Sequence, residues 1–324
     1  MRRDSRASSA LQIAAENLRI TVRTGGREIA MTPESALSNW GRWGPEDERG
    51  TANYIHAGIL KSAAGLIRRG KVYSLALPIQ QEGVPRMPNR PPLDHRFNAE
   101  AGQSPSTPHS FQACDDYLGA HVHNGTHIDA LAHCWTDGQL YNGISSSAVH
   151  SDRAVKLGIE KLQHLVGRGV LLDLCRFFDV PSLPPQRPIG PSELEQCAKS
   201  QGTELREGDI LLVRTGWLRG YNPADPGANF QSEPGLNAQA ADWVLEKRFA
   251  AVGADNFALE AVPSEDGSLG TVHLRLIRDG GCYIMELLML EQLAEDRVYE
   301  FLFVASPLPL SGGTGSPINP LAIA

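Results

Sequence analysis

The sequence predicts a single α/β domain. Short apolar runs typical of buried strands recur along the chain, and segments with helix-capping residues lie between some of them. Many glycine and proline breaks interrupt the chain, but no long polar linker separates one half from the other. We therefore expect residues 38–324 to form one domain, and residues 1–37, which begin with an Arg- and Ser-rich stretch, to be an N-terminal extension or an oligomer arm.

Five apolar runs are predicted to be strands. Each is short and rich in aliphatic residues, as buried strands are, and its length is below that of an ordinary helix. The runs are Val72–Leu77, Gly169–Leu174, Asp209–Arg214, Ala250–Ala254 and Glu300–Ala305.

Helices are predicted from their capping residues. Ser192 followed by Glu195 fits a capping box after a proline-rich loop. Asn237 is a suitable N-cap for a helix that extends to Arg248. Met285–Leu293 is a third candidate helix. The proline-rich segment Gly83–Pro108 is instead predicted to be a long ordered loop, and loops of that length are often functional lids.

Composition and charge exclude several classes of function. The net charge of −7 provides no basic face for nucleic acid or for an anionic membrane. No apolar run reaches the length of about eighteen residues that a membrane span requires. Arg2 and Arg3 are not followed by the apolar region of an export signal, so we expect a cytoplasmic protein. The five cysteines are scattered and never form a CxxC motif, which argues against disulfides and against a sulfur-ligated metal.

Histidines are concentrated in the stretch HVHNGTHIDALAH at residues 121–133. It contains four of the ten histidines of the chain, and these alternate with other residues as one face of a strand would. On a straight strand, however, residues four apart are separated by roughly 13 Å. Ligands of one ion must lie much closer, because metal–nitrogen and metal–oxygen bonds are about 2.0–2.2 Å long. A straight strand therefore cannot bring His123 and His127 onto one ion.

A bend between these two histidines would remove that obstacle. Gly125 lies midway and is the residue type that permits such a bend, and the hydroxyl of Thr126 could fix the orientation of a ligand. A helix would also bring the two histidines together, but it would direct Asp129 and His133 to another face, and Asn-Gly-Thr is poor helix material. We therefore predict a strand, a bend, and then a second strand or a helix start.

Imidazoles combined with one carboxylate suit Zn, Mn or Fe(II) and exclude an all-oxygen calcium site. A single histidine would more often be a surface residue or a hydrogen-bonded core residue. The density of this cluster and its central Gly-Thr favour a divalent metal, and the choice between Zn and Mn stays open.

Residues 123–133, HNGTHIDALAH, resemble the HxGTHxDxPxH signature of the cyclase family, which includes bacterial kynurenine formamidase and isatin hydrolase. Further segments are similar to the longer, isatin-hydrolase-like members and occur in the same order over roughly residues 38–307. They are WGRWGPEDERGTAN (40–53), GQLYNG (138–143), GDILLVRTGW (208–217), VGADNFALEAVP (252–263) and HLRLIRDGGCYIMELLMLEQL (273–293). The resemblance implies a swivelling β/β/α-type single domain.

The resemblance also implies a set of metal ligands. His123, His127 and Asp129 would bind a first ion. In two-metal members Asp129 would bridge to a second ion, completed by His273 and Glu286, so one or two ions are possible. Two observations on the residues accord with this. His273 is the only histidine after His164, and Glu286 is a lone carboxylate in the apolar run YIMELLML, where burial without a partner would be costly. The alternative for Glu286 is a position on a helix surface.

The chemistry expected of such a site is hydrolysis. A divalent ion lowers the pKa of bound water from 15.7 toward about 7 and so supplies hydroxide at neutral pH. By the resemblance, His133 would be the general acid/base that passes a proton to the leaving group, although it can also lie close to the metal. Asp255, Asn256 and Glu260 of the segment DNFALE could position ligands or substrate, or form a structural turn.

The substrate is predicted only as a class. Trp40, Trp43 and Trp135 are candidates for stacking on an aromatic substrate, with core packing as the alternative. Leu131 and Cys134 replace the proline and phenylalanine usual in formamidases, which argues against kynurenine formamidase activity.

We expect cleavage of a C–N bond (amide, lactam or imide) in a small cyclic or aryl compound. Alternatives are a lactone hydrolase, a metal-dependent lyase or cyclase, and a metal-binding protein without turnover. By family analogy the protein would be a homodimer or homotetramer.

Overall fold

The computed structural model describes residues 20–24, 27–31, 37–98, 113–224, 230–265, 267–268 and 270–324. Its described strands, in chain order, are β1 (Ile20–Thr24), β2 (Arg27–Met31), β3 (Val72–Ser74), β4 (Asp94–Phe97), β5 (Asp116–Gly119), β6 (His127–Asp129), β7 (Leu165–Asp173), β8 (Pro188–Ile189), β9 (Ile210–Arg214), β10 (Gly235–Leu236), β11 (Ala251–Ala254), β12 (Tyr283–Glu286), β13 (Glu300–Ala305), β14 (Gly315–Pro317) and β15 (Leu321–Ile323).

One mixed sheet of nine strands organises the domain, in the order β14-β6-β12-β11-β9-β7-β13-β15-β3. The four central strands β12, β11, β9 and β7 are parallel, and the flanking pairs are antiparallel. All residues of β9, β11 and β12 are buried. Parallel strands covered on both faces read as continuous apolar runs, which is why the sequence identified β7, β9 and β11, although not β12. The predicted α/β single domain is confirmed.

The described α-helices are α1 (Ala57–Ala64), α2 (Leu174–Phe177), α3 (Pro191–Gln201), α4 (Trp217–Gly220), α5 (Ala238–Glu246), α6 (Thr271–His273) and α7 (Glu291–Glu295). A π-helical segment, Leu274–Asp279, continues α6, and short 3₁₀ turns occur at Gly50–Tyr54, Tyr141–Gly143, Ser146–Ala148 and Ile159–Lys161. Helices α1 and α3 pack on β7, and α3 also packs on α5.

Two of the predicted helices are present, with one change of cap. Asn237 accepts a hydrogen bond from the Ala240 amide (2.9 Å), as predicted, and α5 ends at Glu246. The predicted capping pair Ser192–Glu195 is wrong. Proline is favoured at the first helical position, so α3 begins at Pro191 with Gly190 as its N-cap, and the side chain of Glu193 accepts the Gly190 N–H.

The third predicted helix, Met285–Leu293, is also wrong. Residues Tyr283–Glu286 form strand β12, and only Glu291–Glu295 is helical. All four residues of β12 are buried, between β11 and β6 in the sheet. A run that is apolar on every side has no helical or strand periodicity, so the pattern alone could not distinguish the two.

The segment predicted as a long loop contains strand β4, which pairs with β5 in an exposed hairpin; its residues 99–108 lie outside the described part. Within residues 1–37, β1 and β2 form an antiparallel hairpin, and a role as an oligomer arm stays a prediction. Across the described residues, every helix is too short or too polar to cross a membrane.

Candidate metal centre

Strand β6 positions the central residues of the site. It lies between β12 and β14, and in the antiparallel pair with β12 His127 is directly opposite Glu286. Side chains opposite each other across strands share a face, and Asp129, two residues along β6, lies on that face as well. His127, Asp129 and Glu286 are all buried. The sheet register therefore brings a histidine and two carboxylates together.

The predicted bend at Gly125 is present. Gly125 has φ +63°, and the Asn124 amide donates to the His121 carbonyl in the turn that precedes it. A side chain at Gly125 would also approach Val84, because a Cβ there would lie 3.1 Å from its Cγ1. The bend directs His123 back toward Asp129, with Nδ1 2.9 Å from Oδ1.

Two groups of potential ligands share Asp129. In each of them one donor atom per residue lies within 4.8 Å of the other donors: His123, Asp129 and His133 in the first, and His127, Asp129 and Glu286 in the second. His273 lies beside the second group, with Nε2 3.2 Å from Glu286 Oε1 and 3.8 Å from Asp129 Oδ2. The six residues proposed for metal binding and proton transfer are therefore brought together.

Hydrogen bonds fix which nitrogen of two histidines faces the carboxylates. Nδ1 of His127 bonds to the Gly125 carbonyl (2.8 Å), which leaves Nε2 3.1 Å from Glu286 Oε2. Nδ1 of His273 bonds to Glu260 Oε1 (2.8 Å), which leaves Nε2 directed at Glu286. Metal-binding histidines typically have such a partner on the second ring nitrogen.

The geometry of the donors fits a divalent ion. Two ligands about 2.1 Å from an ion at a tetrahedral angle are about 3.4 Å apart. Nε2 of His127 lies 3.6 Å from Asp129 Oδ1 and 3.1 Å from Glu286 Oε2. Asp129 Oδ2 is fully buried and has no hydrogen-bond partner in the described structure. A cation would satisfy this acceptor, which otherwise would be costly to bury.

Burial and neighbouring charges oppose each other at the ionisable groups. Burial would raise the pKa of Asp129 and of Glu286, but hydrogen bonds and the charges of adjacent histidines hold both below their ordinary values. Burial lowers the pKa of His133 to about 4, assisted by His123 and His273 and only partly offset by Asp129. His133 is half-buried, and its ring centroid lies 4.3 Å from that of His123. In the absence of metal, a neutral imidazole is therefore available beside the ligands at pH 7.

The segment after β13 completes the surroundings of His123. Nε2 of His123 is 3.2 Å from Thr314 Oγ1, and the Ala130 amide donates to the Thr314 carbonyl. Gly315, the first residue of β14, leaves room for the imidazole: a Cβ there would lie 2.6 Å from His123 Cε1. No sequence feature pointed to this segment, because its role depends on a contact across 191 residues of the chain.

Thr126, Asp255 and Asn256 make hydrogen bonds that support the backbone around the site. The Thr126 hydroxyl donates to the Leu287 carbonyl (2.6 Å) and accepts from the Leu77 amide, so it supports the chain after Glu286 rather than a ligand side chain. His121, the remaining histidine of the stretch, is exposed. Asp255 accepts three hydrogen bonds from Thr215 and Gly216 and is structural. Asn256 is buried and donates to the Pro234 carbonyl.

The three tryptophans differ in their surroundings. Trp40 is buried in the core, with Nε1 donating to the Arg278 carbonyl (2.7 Å), so core packing accounts for it. Trp43 contacts Tyr54 edge to face, at 5.0 Å between ring centroids. Trp135 is 44% exposed and lies two residues after His133. Of the three, Trp135 alone follows the metal residues closely in the chain.

Both departures from the family signature, Leu131 and Cys134, take part in packing around the site. Leu131 is buried in the core. Cys134 Sγ lies 3.6 Å from the His273 carbonyl, so it packs against the backbone of a predicted ligand.

A second, aromatic cluster adjoins the metal centre and was not predicted. It consists of Trp217, Tyr221, Phe230 and Phe257, with adjacent ring centroids 4.3–6.0 Å apart. Leu287, which follows Glu286, packs in it. Arg90 joins the two sites: its Nη1 donates to the His123 carbonyl (2.6 Å), and its guanidinium lies 5.6 Å from the Phe257 centroid.

The bend before β6, which lies next to the edge strand of a mixed sheet, brings histidines and carboxylates together as in a metal site. Comparison with known proteins identifies the protein family. The chain belongs to the family described as Putative cyclase, whose family model matches residues 73–261. A solved structure described as a novel cyclase is 39% identical, covers 91% of this chain and 100% of its own, and superposes with a TM-score of 0.84.

More distant structures share the fold. Isatin hydrolase A from Ralstonia solanacearum is 23% identical, with a TM-score of 0.59 over 82% of this chain and 96% of its own. Isatin hydrolase A from Labrenzia aggregata is 19% identical, with a TM-score of 0.57 over 80% and 94%. A predicted metal-dependent hydrolase from Bacillus stearothermophilus is 22% identical, with a TM-score of 0.51 over 78% and 97%. Comparison with curated proteins gave no match.

Proposed function

We propose that the protein is a metal-dependent hydrolase that cleaves a C–N bond, in an amide, lactam or imide, of a small cyclic or aryl substrate. The observation that carries this proposal is the convergence of His123, His127 and Glu286 on Asp129, a buried carboxylate whose Oδ2 has no hydrogen-bond partner within the described residues. The similarity to isatin hydrolases and to a protein described as a metal-dependent hydrolase supports the reaction type.

The ligand residues would hold one or two divalent ions, Zn or Mn. Such an ion, when bound, supplies a Lewis acid and lowers the pKa of water. His127 and His273 each present Nε2 because the other ring nitrogen is already bonded, so their orientation needs no rearrangement. Asp129, which belongs to both groups of donors, would be the bridging ligand if two ions are present.

His133 would transfer the proton. It lies against His123 yet is half-buried, whereas Asp129 and Glu286 are buried. One of its ring nitrogens can therefore receive a proton from water and deliver it to the nitrogen of the leaving group, which must be protonated to depart. This role is preferred to that of a ligand because the resemblance assigns it, and the two roles give different results on mutation.

The aromatic cluster supports an aryl substrate. Trp217, Phe230 and Phe257 form a group of rings next to Leu287, one residue beyond Glu286. Aromatic rings attract one another in stacked and edge-to-face arrangements, worth about 0.5–1.5 kcal/mol per pair beyond the area buried.

The test combines elemental analysis with a substrate screen. The purified protein should contain Zn or Mn and should hydrolyse isatin or N-formylaniline faster than an aryl lactone. With ¹⁸O-labelled water, the label should appear in the carboxylate product, which a lyase or cyclase reaction would not give. His121→Ala is a matched control, because this exposed histidine lies in the same loop and should leave both metal and turnover unchanged.

If the protein hydrolyses the aryl lactone faster than the two C–N substrates, the proposed C–N hydrolase is instead a lactone hydrolase that cleaves a C–O bond. A protein that holds the metal but leaves all three substrates intact would contradict the proposed hydrolase activity.

A further inference from the structure

Arg90 connects the metal centre with the aromatic cluster. Its Nη1 donates to the carbonyl of His123, and its guanidinium carbon lies 5.6 Å from the centroid of Phe257. A guanidinium over an aromatic face is attracted by the ring electrons. The segment that carries Arg90 is fixed as well, because Met87 packs against the aromatic cluster and the Val84–Pro85 backbone contacts Tyr221 and Gly125.

Most of the guanidinium is free to bind something else. Within the described residues the side chain makes one hydrogen bond, through Nη1, so Nε and Nη2 have no partner there. Arg90 is half-buried, and burial lowers its pKa more than the charges of Glu286 and Asp129 raise it. A cation with spare donors therefore lies beside the ligands without being paired to either carboxylate.

Metal binding would leave this cation without a counter-charge. Asp129 and Glu286 are the acidic groups whose charges Arg90 feels, and both would be neutralised by a divalent ion. A planar guanidinium with open donors is best matched by a carboxylate, which it can bind in a bidentate manner. Phe257 is buried, and the half-buried ring of Phe230, 4.3 Å from it between centroids, is the part of the cluster that an attached aryl group could contact.

We propose that Arg90 forms an anion-binding position beside the metal centre and that it binds the carboxylate of the product when the carbonyl side of the cleaved bond carries the aryl group. This inference rests on the proposed function, in which water attacks the carbonyl carbon. A C–O bond forms, the C–N bond breaks, and one proton moves to the nitrogen. The resulting carboxylic acid loses its remaining proton to solvent, so that the product carries the group that Arg90 fits. Arg90 thus determines product affinity.

The test uses benzoate as the aryl carboxylate and benzamide as its neutral counterpart, titrated calorimetrically into the metal-loaded protein. Arg90→Gln retains a donor for the His123 carbonyl but removes the charge, and it should weaken benzoate binding about tenfold to hundredfold. Benzamide binding should be unchanged. Arg96→Met is the control for a lost arginine in the same segment, because Arg96 is exposed and paired with Asp94. It should bind benzoate as the parent protein does.

Metal content of each variant is measured alongside. Arg90→Met, which also removes the bond to His123, should keep the metal and show the same loss of benzoate affinity. Unchanged benzoate affinity in Arg90→Gln, an equal loss in Arg96→Met, or loss of metal from Arg90→Gln would each overturn the proposal. Failure of the parent protein to hydrolyse any C–N substrate, with the Arg90 effect intact, would contradict the proposed function alone.

Discussion

Glu260 is expected to control metal affinity although it is not itself a predicted ligand. Oε1 accepts from His273 Nδ1 at 2.8 Å, and Oε2 accepts from the Val272 amide at 3.1 Å, so this buried carboxylate fixes both the ring of His273 and the backbone that precedes it. Replacing such a partner of a metal-bound histidine typically costs 10- to 100-fold in metal affinity, or about 1.4–2.8 kcal/mol. Glu260→Gln retains an acceptor but loses the charge, so its loss of metal affinity should be close to 10-fold. Glu260→Ala loses both hydrogen bonds, so its loss of metal affinity should be close to 100-fold.

The measurement is competition with a chromogenic chelator at fixed pH, which gives the metal dissociation constant directly. Glu265→Gln is the matched control, because Glu265 is exposed, and it should bind metal like the parent protein. If two ions bind, the ion held by His127, Asp129 and Glu286 should be the more affected in Glu260→Gln, because His273 lies beside that donor group. Equal metal affinity in the parent protein and in Glu260→Ala would refute the role assigned to this contact.

Three further predictions concern the site and its surroundings. His127→Ala and Asp129→Asn should each abolish metal retention and turnover together, measured by elemental analysis and hydrolysis of isatin; full activity in either purified variant would show that the ligands are misassigned. His133→Ala should keep the metal but lose turnover, whereas metal-depleted protein would identify His133 as a ligand. Burial raises the pKa of Glu233 to about 8, above its unfolded value of about 4.3, so the folded metal-free protein holds the extra proton and its stability falls as pH rises through that window. Glu233→Gln should flatten this fall in urea unfolding at pH 5 and pH 8, and an unaltered pH dependence would contradict the assignment.

The central strands of the sheet could be predicted because each is recognisable from its own short apolar sequence. Strands β7, β9 and β11 are almost entirely buried and mainly aliphatic, with their few charged residues inside or at the end of the run, and β13 is apolar after Glu300. The error at Met285–Leu293 has the same origin, since a run that is apolar throughout indicates burial but not conformation.

The bend in the histidine-rich segment, residues 123–133, was predictable for a different reason. Bond lengths exclude a straight strand through His123 and His127, and Gly125 is the residue that allows the bend. The contribution of Glu286 required more, because only the antiparallel register of β6 and β12 sets it opposite His127. From the sequence, this ligand was available through the family resemblance alone.

Contacts across long stretches of chain could not be predicted. Arg90 is one arginine in a proline-rich loop, and nothing in its neighbours indicates a bond to the His123 carbonyl 33 residues later. The buried Glu233 and the cluster of Trp217, Phe230 and Phe257 likewise acquire their significance from packing. Homo-oligomerisation stays a prediction.

The pairing of β6 with β14 makes the surroundings of the histidines depend on the C-terminal part of the chain. Thr314 and Gly315 bound the imidazole of His123, yet they are synthesised roughly 190 residues after it. Within the described sheet β14 is an edge strand, so the surroundings of His123 depend on a strand that is paired on one side only. Local opening of β14 should therefore weaken metal binding, and bound metal should protect this edge of the sheet against opening.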